Sequence, residues 1–466
     1  MKRVAVGTAA IAAVLLFSIY VFLSRPTPPR ALTQELTQSG CCIAAPHSIL
    51  PGQLFDVVVS PPRGGPVRLH MLRFKRNGSL LFHSWAEFEG GAPELSTRTA
   101  RSRQGTYIGA DPNGLLWSAH PLLGDHSAVW SRLNSLPDLP KRGLVLVLEQ
   151  ANKVIDTRAV VAMTPADMGV RVIRTTAPFE GYIAMPAKGE NSPIALLLGG
   201  SDDFSHLSTA TNLAQYGITV FTFRYIRALG KSTCFEEVDL SKFDELADWL
   251  LQKLGRRGSQ IAIVGVSSGA QAALILANAR RPWLSGFVAI VPNRWFFNGA
   301  TGPFCAFPAS PWLVNQQRVP YLMNFPPSLI GLVDAAAVRL GLSNQRMTVD
   351  AALEAAGEVE RRKHELDVSQ VDVPGLLFGS DADEIIPSGE SVRLLCSGMG
   401  VASRATVDCR TFPSAGHYIS SWPGRVEPCA DWMEADARNA AVVRCHATMK
   451  AAGAVWEQTV DFLRKH

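Results

Sequence analysis

Gly265-Val266-Ser267-Ser268-Gly269 is a G-x-S-x-G pentapeptide set between an apolar run at 260–264 and a predicted helix at 270–281, which Pro282 stops. Strand, sharp turn and helix in that order make a nucleophile elbow. Such a turn lifts the Ser267 hydroxyl to the top of a sheet at a helix N-terminus. There the free N–H groups and the helix dipole favour developing negative charge. Gly265 and Gly269 fit because side chains two residues either side of the nucleophile would collide with neighbouring backbone. A bare G-x-S-x-G also occurs by chance, so it is the context that carries the reading.

A serine hydroxyl is a weak nucleophile without a base, and the base needs an orienting carboxylate. The chain order expected of this arrangement is serine, acid, histidine. Downstream, the apolar run 374–378 enters Gly379-Ser380-Asp381-Ala382-Asp383-Glu384-Ile385-Ile386-Pro387. Asp383, four residues before the proline that starts the next helix, is the preferred acid. Asp381 is the runner-up, and whichever carboxylate is unused caps a turn. The next predicted strand, 405–412, leads to Pro413-Ser414-Ala415-Gly416-His417-Tyr418, and among ten histidines only His417 holds that place. His206 fits a helix start instead. The backbone N–H of Ser268 is the expected first donor to an oxyanion. Gly200 and Ser201, in Gly199-Gly200-Ser201-Asp202, supply the second, with a simple turn as the alternative. A triad brings its own nucleophile, acid and base, so no cofactor is implied. No cysteine has zinc-ligand spacing, and no metal is expected.

The elements that must position these residues read as two regions. From 34 to 165 the chain shows short strands with turn punctuation: 55–60, 67–74 into the turn Asn77-Gly78, 80–85, and a pair at 143–149 and 154–162 around Asn152-Lys153. Asn-Gly between apolar runs is a strong hairpin signal, and the series predicts an immunoglobulin-like β-sandwich. From 166 to 466 apolar strands (193–198, 218–223, 260–264, 286–291, 374–378) alternate with helices near 207–216 and 241–254. That pattern predicts a parallel sheet covered on both faces, hence an α/β fold. An insertion at about 293–367 interrupts it. Its first half carries Phe296, Phe297, Phe304, Phe307, Trp312 and Phe325, read either as packing or as a lid over an apolar substrate. The charged run 358–365 reads as a solvated helix face.

The chain has 466 residues, 47% hydrophobic and 18% charged, which excludes a disordered or collagen-like chain. Its 45 basic and 40 acidic residues are dispersed, so nucleic-acid binding gains no support. Residues 4–23 carry no charge and would form a helix about 30 Å long, the thickness of a bilayer core. No small-residue cleavage pattern closes this stretch, so 1–24 is read as an uncleaved signal anchor and 25–33 as a Pro-rich linker. Lys2 and Arg3 place the N-terminus in the cytoplasm and the body outside it, with Arg25 and Arg30 pulling the other way. Eight cysteines, Cys41 and Cys42 among them, suit disulfides in an oxidising compartment, although their spacing names no pairs.

Three stretches resemble one family: Tyr107-Ile108-Gly109-Ala110-Asp111-Pro112-Asn113-Gly114-Leu115-Leu116-Trp117, the elbow at 265–269, and Gly416-His417-Tyr418-Ile419. Together they look like the acyl-CoA thioesterase and bile acid-CoA:amino acid N-acyltransferase family, and 381–388 resembles bacterial members in its D-x-x-x-P-S ending. The resemblance implies a β-sandwich joined to an α/β-hydrolase domain, with a Ser267–Asp383–His417 triad acting on a bulky acyl group. Serine rather than cysteine at the nucleophile favours hydrolysis over transfer. Members often read S-K-G, then A or G, then E, where this chain reads Ser267-Ser268-Gly269-Ala270-Gln271, which puts a CoA leaving group in question. The expectation is a membrane-tethered hydrolase of acyl thioesters or related esters. An acyltransferase to an amine or alcohol, an extracytoplasmic carboxylesterase and a non-catalytic binding module stand as alternatives.

Overall fold

The computed structural model describes residues 42–466 except 54, 62–63, 75–77, 79, 120–142, 231–233, 300–308, 324–344, 405 and 421–439. The predicted anchor and linker lie outside the described residues, as do Cys41, Asn77, Phe304, Phe307 and Phe325. Among the described residues, no helix is long and apolar enough to cross a membrane.

Among the described residues the N-terminal region carries two β-sheets. The larger has the order β2 (Ser48–Ile49), β9 (Lys153–Ala162), β8 (Leu144–Gln150), β4 (Val67–Phe74), β5 (Leu80–Phe88), β7 (Ser102–Gly105), and the smaller joins β1 (Ile43–Ala44), β3 (Val58–Val59) and β6 (Leu95–Ser96). Alternation decides which side chains go in: Leu69, Met71, Leu146 and Leu148 enter the main core, while Leu72, Val145 and Val147 fill a smaller cluster on the opposite face. Two expectations shift here. The turn between β8 and β9 centres on Ala151 and Asn152, whose φ values of 48° and 60° suit a tight hairpin, rather than on Asn152-Lys153. The run 55–60 ladders only at Val58–Val59, because Phe55 N–H donates to the Asn113 side chain (2.8 Å) and Val57 N–H to Thr97 Oγ1 (3.0 Å). Asn113 itself sits at the start of a one-turn helix, α1 (Gly114–Trp117), which the strand pattern did not foretell.

The C-terminal region is built on one sheet with the order β10 (Arg171–Thr175), β11 (Gly181–Met185), β13 (Thr219–Phe223), β12 (Ile194–Leu198), β15 (Ile261–Val266), β16 (Leu284–Ile290), β19 (Gly375–Ser380), β20 (Val407–Phe412). β10 and β11 are antiparallel, and every pair from β13 to β20 is parallel. Fully apolar strands require cover on both faces. On one face Leu196, Phe221 and Ile263 pack with α4 (Lys242–Lys253), α5 (Ser268–Asn278) and α7 (Ser388–Gly398). On the other, Leu197, Val220 and Val264 pack with α2 (Leu207–Gln215) and α9 (Ala440–Leu463). The α9 helix also reaches the N-terminal region, placing Met449 in its core.

Within the insertion, β17 (Trp312–Val314) joins β14 (Val238–Asp239) and β18 (Gln317–Arg318) in a small sheet. Trp312 is fully buried, stacked on Tyr225 and edge-on to Phe235, and Phe296 is buried too, so these two aromatics are packing. The helix α6 (Gln345–Lys363) is interrupted at Gly357, and its end carries exposed pairs, Arg362 with Glu358 and Lys363 with Glu360.

Candidate active site

All the loops that matter leave the same edge of the sheet. Ser267 follows β15, the Gly199–Asp202 turn follows β12, Asp383 follows β19 and His417 follows β20. Four parallel strands therefore deliver their C-terminal ends to one side, where open α/β sheets place ligands.

Ser267 sits at the joint between β15 and α5 with φ 54° and ψ −115°, a conformation costly for a residue with a side chain, by roughly 1–3 kcal/mol. The neighbours hold it there. Its N–H donates to Ile290 O (2.8 Å), and its carbonyl accepts the first bonds of α5, from Ala270 and Gln271. The flanking glycines are steric necessities. A Cβ on Gly265 would lie 2.1 Å from Gly269 O, and one on Gly269 would lie 2.4 Å from Gly199 O. Gly269 N–H donates to Gly199 O at 3.1 Å, tying the elbow to the turn after β12. Gly200 in that turn faces the serine: a Cβ placed on it would stand 3.6 Å from Ser267 Cβ. Ser268 opens α5, so no carbonyl four residues back within the helix is there to accept its N–H.

Asp383 and His417 meet directly. His417 Nδ1 lies 2.9 and 3.0 Å from the two carboxylate oxygens of Asp383, and both side chains are buried. Asp383 also accepts from the N–H groups of Ile385 (2.9 Å) and Ile386 (3.0 Å) and from Ser388 Oγ (2.5 Å). Burial pushes this carboxyl up, but the hydrogen bonds and charge of His417, with those of Ser388 and Ile386, outweigh it and hold Asp383 below the usual carboxylate range. Asp381, by contrast, points outward and pairs with Arg393 (2.7 Å). His206 flanks the start of α2.

Several supporting residues were not foreseen. Glu384 accepts the N–H of His417 (3.2 Å), Thr448 of α9 accepts that of Gly416 (2.7 Å), and Arg346 donates to the carbonyls of Asp383 (3.1 Å) and Ile386 (3.3 Å). They come from distant parts of the chain, and only Ser388, the last letter of the D-x-x-x-P-S stretch, carried a local signal. Asp203 anchors the turn after β12, accepting from the N–H of Ile226 (3.0 Å) and pairing with Arg224 (3.3 Å). Tyr418, half exposed, is pushed up by burial and then by the nearby carboxylates of Glu384, Asp202 and Asp383, so it lies within electrostatic reach of both the histidine loop and the turn after β12. Among the described residues no cluster of three or more potential metal ligands is present.

Sheet order, elbow and buried Asp–His pair together define a protein of the α/β-hydrolase type. Residues 238–466 match the family model described as BAAT / acyl-CoA thioester hydrolase C terminal. A human relative, acyl-coenzyme A thioesterase 6, is 26% identical over 238 residues, covering 48% of this chain and 53% of that protein, so the match spans about half the length of the relative. The C-terminal half of the chain is thus similar to the acyl-CoA thioester hydrolase and BAAT family, whose name describes hydrolases. Among solved structures, a soluble variant of the Saccharomyces cerevisiae monoglyceride lipase aligns at 13% identity and a TM-score of 0.36, covering 64% of this chain and 94% of that one. A hyperthermophilic esterase from Pyrobaculum calidifontis aligns at 15% and 0.36, covering 62% and 86%.

Proposed function

We propose that the chain is a serine hydrolase that cleaves an acyl thioester, or a closely related ester, through an acyl-enzyme on Ser267. The observation that carries the reading is the clamp of His417 Nδ1 by a buried, ionised Asp383, beside an elbow serine held at positive φ. With Nδ1 committed, Nε2 is the nitrogen left to take a proton. Ser267 Oγ attacks the carbonyl carbon while its proton passes to Nε2. The oxyanion is met by the N–H of Ser268 and by donors from Gly200 or Ser201. Collapse expels the thiolate or alkoxide, which leaves with the proton from His417, and water then repeats the sequence to release the acid. The similarity of residues 238–466 to a thioester hydrolase family model supports the thioester.

The location is part of the proposal: 4–23 anchors the chain in a membrane, and the body, with an immunoglobulin-like N-terminal domain, stands outside the cytoplasm. Disulfides support that side. Cys396 is bonded to Cys409, and Cys42, Cys234 and Cys445 are disulfide-bonded as well, as befits an oxidising compartment. The same observation favours a second reading, an extracytoplasmic carboxylesterase, because acyl-CoA is not expected there. Thiol release from a long-chain acyl-CoA, measured beside hydrolysis of a p-nitrophenyl ester, separates the two. Both activities must vanish in Ser267→Ala with the fold intact, and an active variant would refute the nucleophile. A rise in amide or ester product with added acceptor would reassign the chain as a transferase.

A further inference from the structure

A cleft of about 650 Å3 opens between the loop 105–111 of the N-terminal region and one face of α9, and none of Ser267, Asp383 or His417 lines it. The helix side presents Val443, His446, Ala447 and Lys450, spaced i, i+3, i+4, i+7 and therefore on one stripe. The loop side presents Tyr107, Ile108 and, below them, Trp117.

Two features of this cleft have no use in the fold itself. The first is a pair of stranded polar atoms. Tyr107 is 1% exposed, yet its hydroxyl has no hydrogen-bond partner among the described residues, and the buried Nε2 of His446 has none either. A buried hydroxyl left unpaired is costly, so a partner arriving from the cleft would be favoured. The second is exposed apolar surface at the rim. Ile108 is 70% and Val443 50% exposed, which water does not favour. The floor between is aromatic: the His446 ring tilts onto Trp117 at 4.8 Å, and Tyr107 meets Trp117 edge-on at 5.8 Å.

Charge completes the recognition. Arg101 and Lys450, both exposed, line the mouth. The one carboxylate in the lining, Asp111, is already engaged, accepting from Asn113 N–H (2.9 Å) and Trp117 Nε1 (3.2 Å). Burial holds His446 below the ordinary histidine range, so it presents a neutral ring to a ligand. We propose that this cleft is a non-catalytic binding site for an amphiphilic monocarboxylate. Its apolar body would lie on Trp117, Ile108 and Val443, and its carboxylate would meet Lys450, Arg101 and the Tyr107 hydroxyl. The site shares no residue with the proposed triad and stands whether or not the triad turns over. The α9 helix that lines it also carries Thr448, which holds Gly416 next to His417.

The test is isothermal titration of the full chain in lipid nanodiscs, referenced to empty nanodiscs, with 5-phenylvalerate as probe. The uncharged 5-phenylpentanol and inorganic phosphate serve as comparators. The expected result is one-site binding of the carboxylate, at least tenfold weaker in Lys450→Gln and about fivefold weaker in Tyr107→Phe, with the alcohol at least tenfold weaker than the acid. Arg101→Gln, a surface change, provides a second charge variant should Tyr107→Phe fail to fold. No binding, equal binding of acid and alcohol, or affinity unmoved by the charge variants would overturn the proposal. Phosphate binding tighter than the carboxylate would overturn the ligand class. Binding lost only in variants of Ser267 or His417 would return the ligand to the sheet edge.

Discussion

Replacing Asp383 by Asn tests the proposed chemistry at its narrowest point. In the native protein Oδ1 accepts the N–H groups of Ile385 and Ile386, while Oδ2 accepts from Ser388, and both oxygens lie within 3.0 Å of His417 Nδ1. An asparagine keeps its carbonyl oxygen on the two backbone donors, so its NH2 group must take the place of Oδ2. That group then donates to His417 Nδ1, which turns acceptor and moves the ring proton to Nε2. A histidine with its proton on Nε2 cannot take one from Ser267. In a Ser-His-Asp triad this wrong tautomer costs about 10^4-fold in kcat, or about 5.5 kcal/mol of transition-state stabilisation. The fold has less to lose, about 1 kcal/mol, because Ser388 Oγ can turn its proton to Ser380 O, 3.3 Å away. Initial rates of p-nitrophenyl ester hydrolysis and a thermal melt, run beside Asp381→Asn, make the comparison. Asp381 sits in a part-exposed pair with Arg393, so its variant keeps activity within about twofold and loses at most about 1 kcal/mol. Asp383→Asn with activity within tenfold of the native protein, or a large loss in Asp381→Asn, would refute the assignment of the acid.

The same carboxylate makes a pH prediction. Its folded pKa lies below the unfolded value near 3.9, so its stabilisation is present above about pH 4 and fades as pH falls through the folded value; the melting temperature of Asp383→Asn falls less steeply in acid than that of the native protein. Ser388→Ala removes one donor to Asp383 and the partner of Ser380 N–H (3.1 Å), and it should cost about 1–2 kcal/mol in chemical denaturation with a several-fold fall in kcat. Gln271→Glu replaces an amide that donates to Asn293 O (2.9 Å) and Trp295 O (3.0 Å) with a buried carboxylate facing two carbonyls; a loss of about 3 kcal/mol is expected in urea titration, and a neutral outcome would disprove the contact. Reducing Cys396–Cys409, which closes a 13-residue loop between α7 and β20, should lower stability by roughly 3 kcal/mol, seen as a lower melting temperature in Cys396→Ala/Cys409→Ala.

The parallel strands and the serine, acid, histidine order were legible because each rests on a local pattern: an apolar run, a tight turn, a loop after a strand. Between Asp381 and Asp383 the local pattern gave only a preference, for the carboxylate four residues before Pro387. Both follow β19, and what distinguishes them in the structure is that Asp383 turns back onto the N–H groups of its own loop while Asp381 turns outward to pair with Arg393 of α7 at 2.7 Å. The hairpin of β10 and β11 escaped for a different reason. Arg171–Thr175 is exposed along most of its length, so no alternation marks it as a strand, and its partner supplies the register. The supports Arg346, Glu384 and Thr448 have no pattern at all, since their roles exist only once β19, α6 and α9 have come together.

The departure from the family pattern at Gln271 bears on the leaving group less than its position beside the elbow implies. Gln271 is buried, spends its amide on the first residues of the insertion, and takes a bond from Trp312 Nε1 at 3.4 Å. A glutamate there could not donate to either carbonyl, so the exchange follows from how this insertion is fastened rather than from what the serine attacks. Ser268 is the other departure, and it opens α5 beside the nucleophile, where a lysine would add a positive charge and a serine adds none. The choice between a CoA thioester and a simpler ester therefore turns on position 268 and on the compartment, and Ser268→Lys addresses the first directly. If charge at 268 selects CoA, this variant raises kcat/KM for acyl-CoA at least tenfold while leaving p-nitrophenyl ester hydrolysis within about threefold. An equal change in both would mean that position 268 acts on the elbow itself and carries no preference between leaving groups.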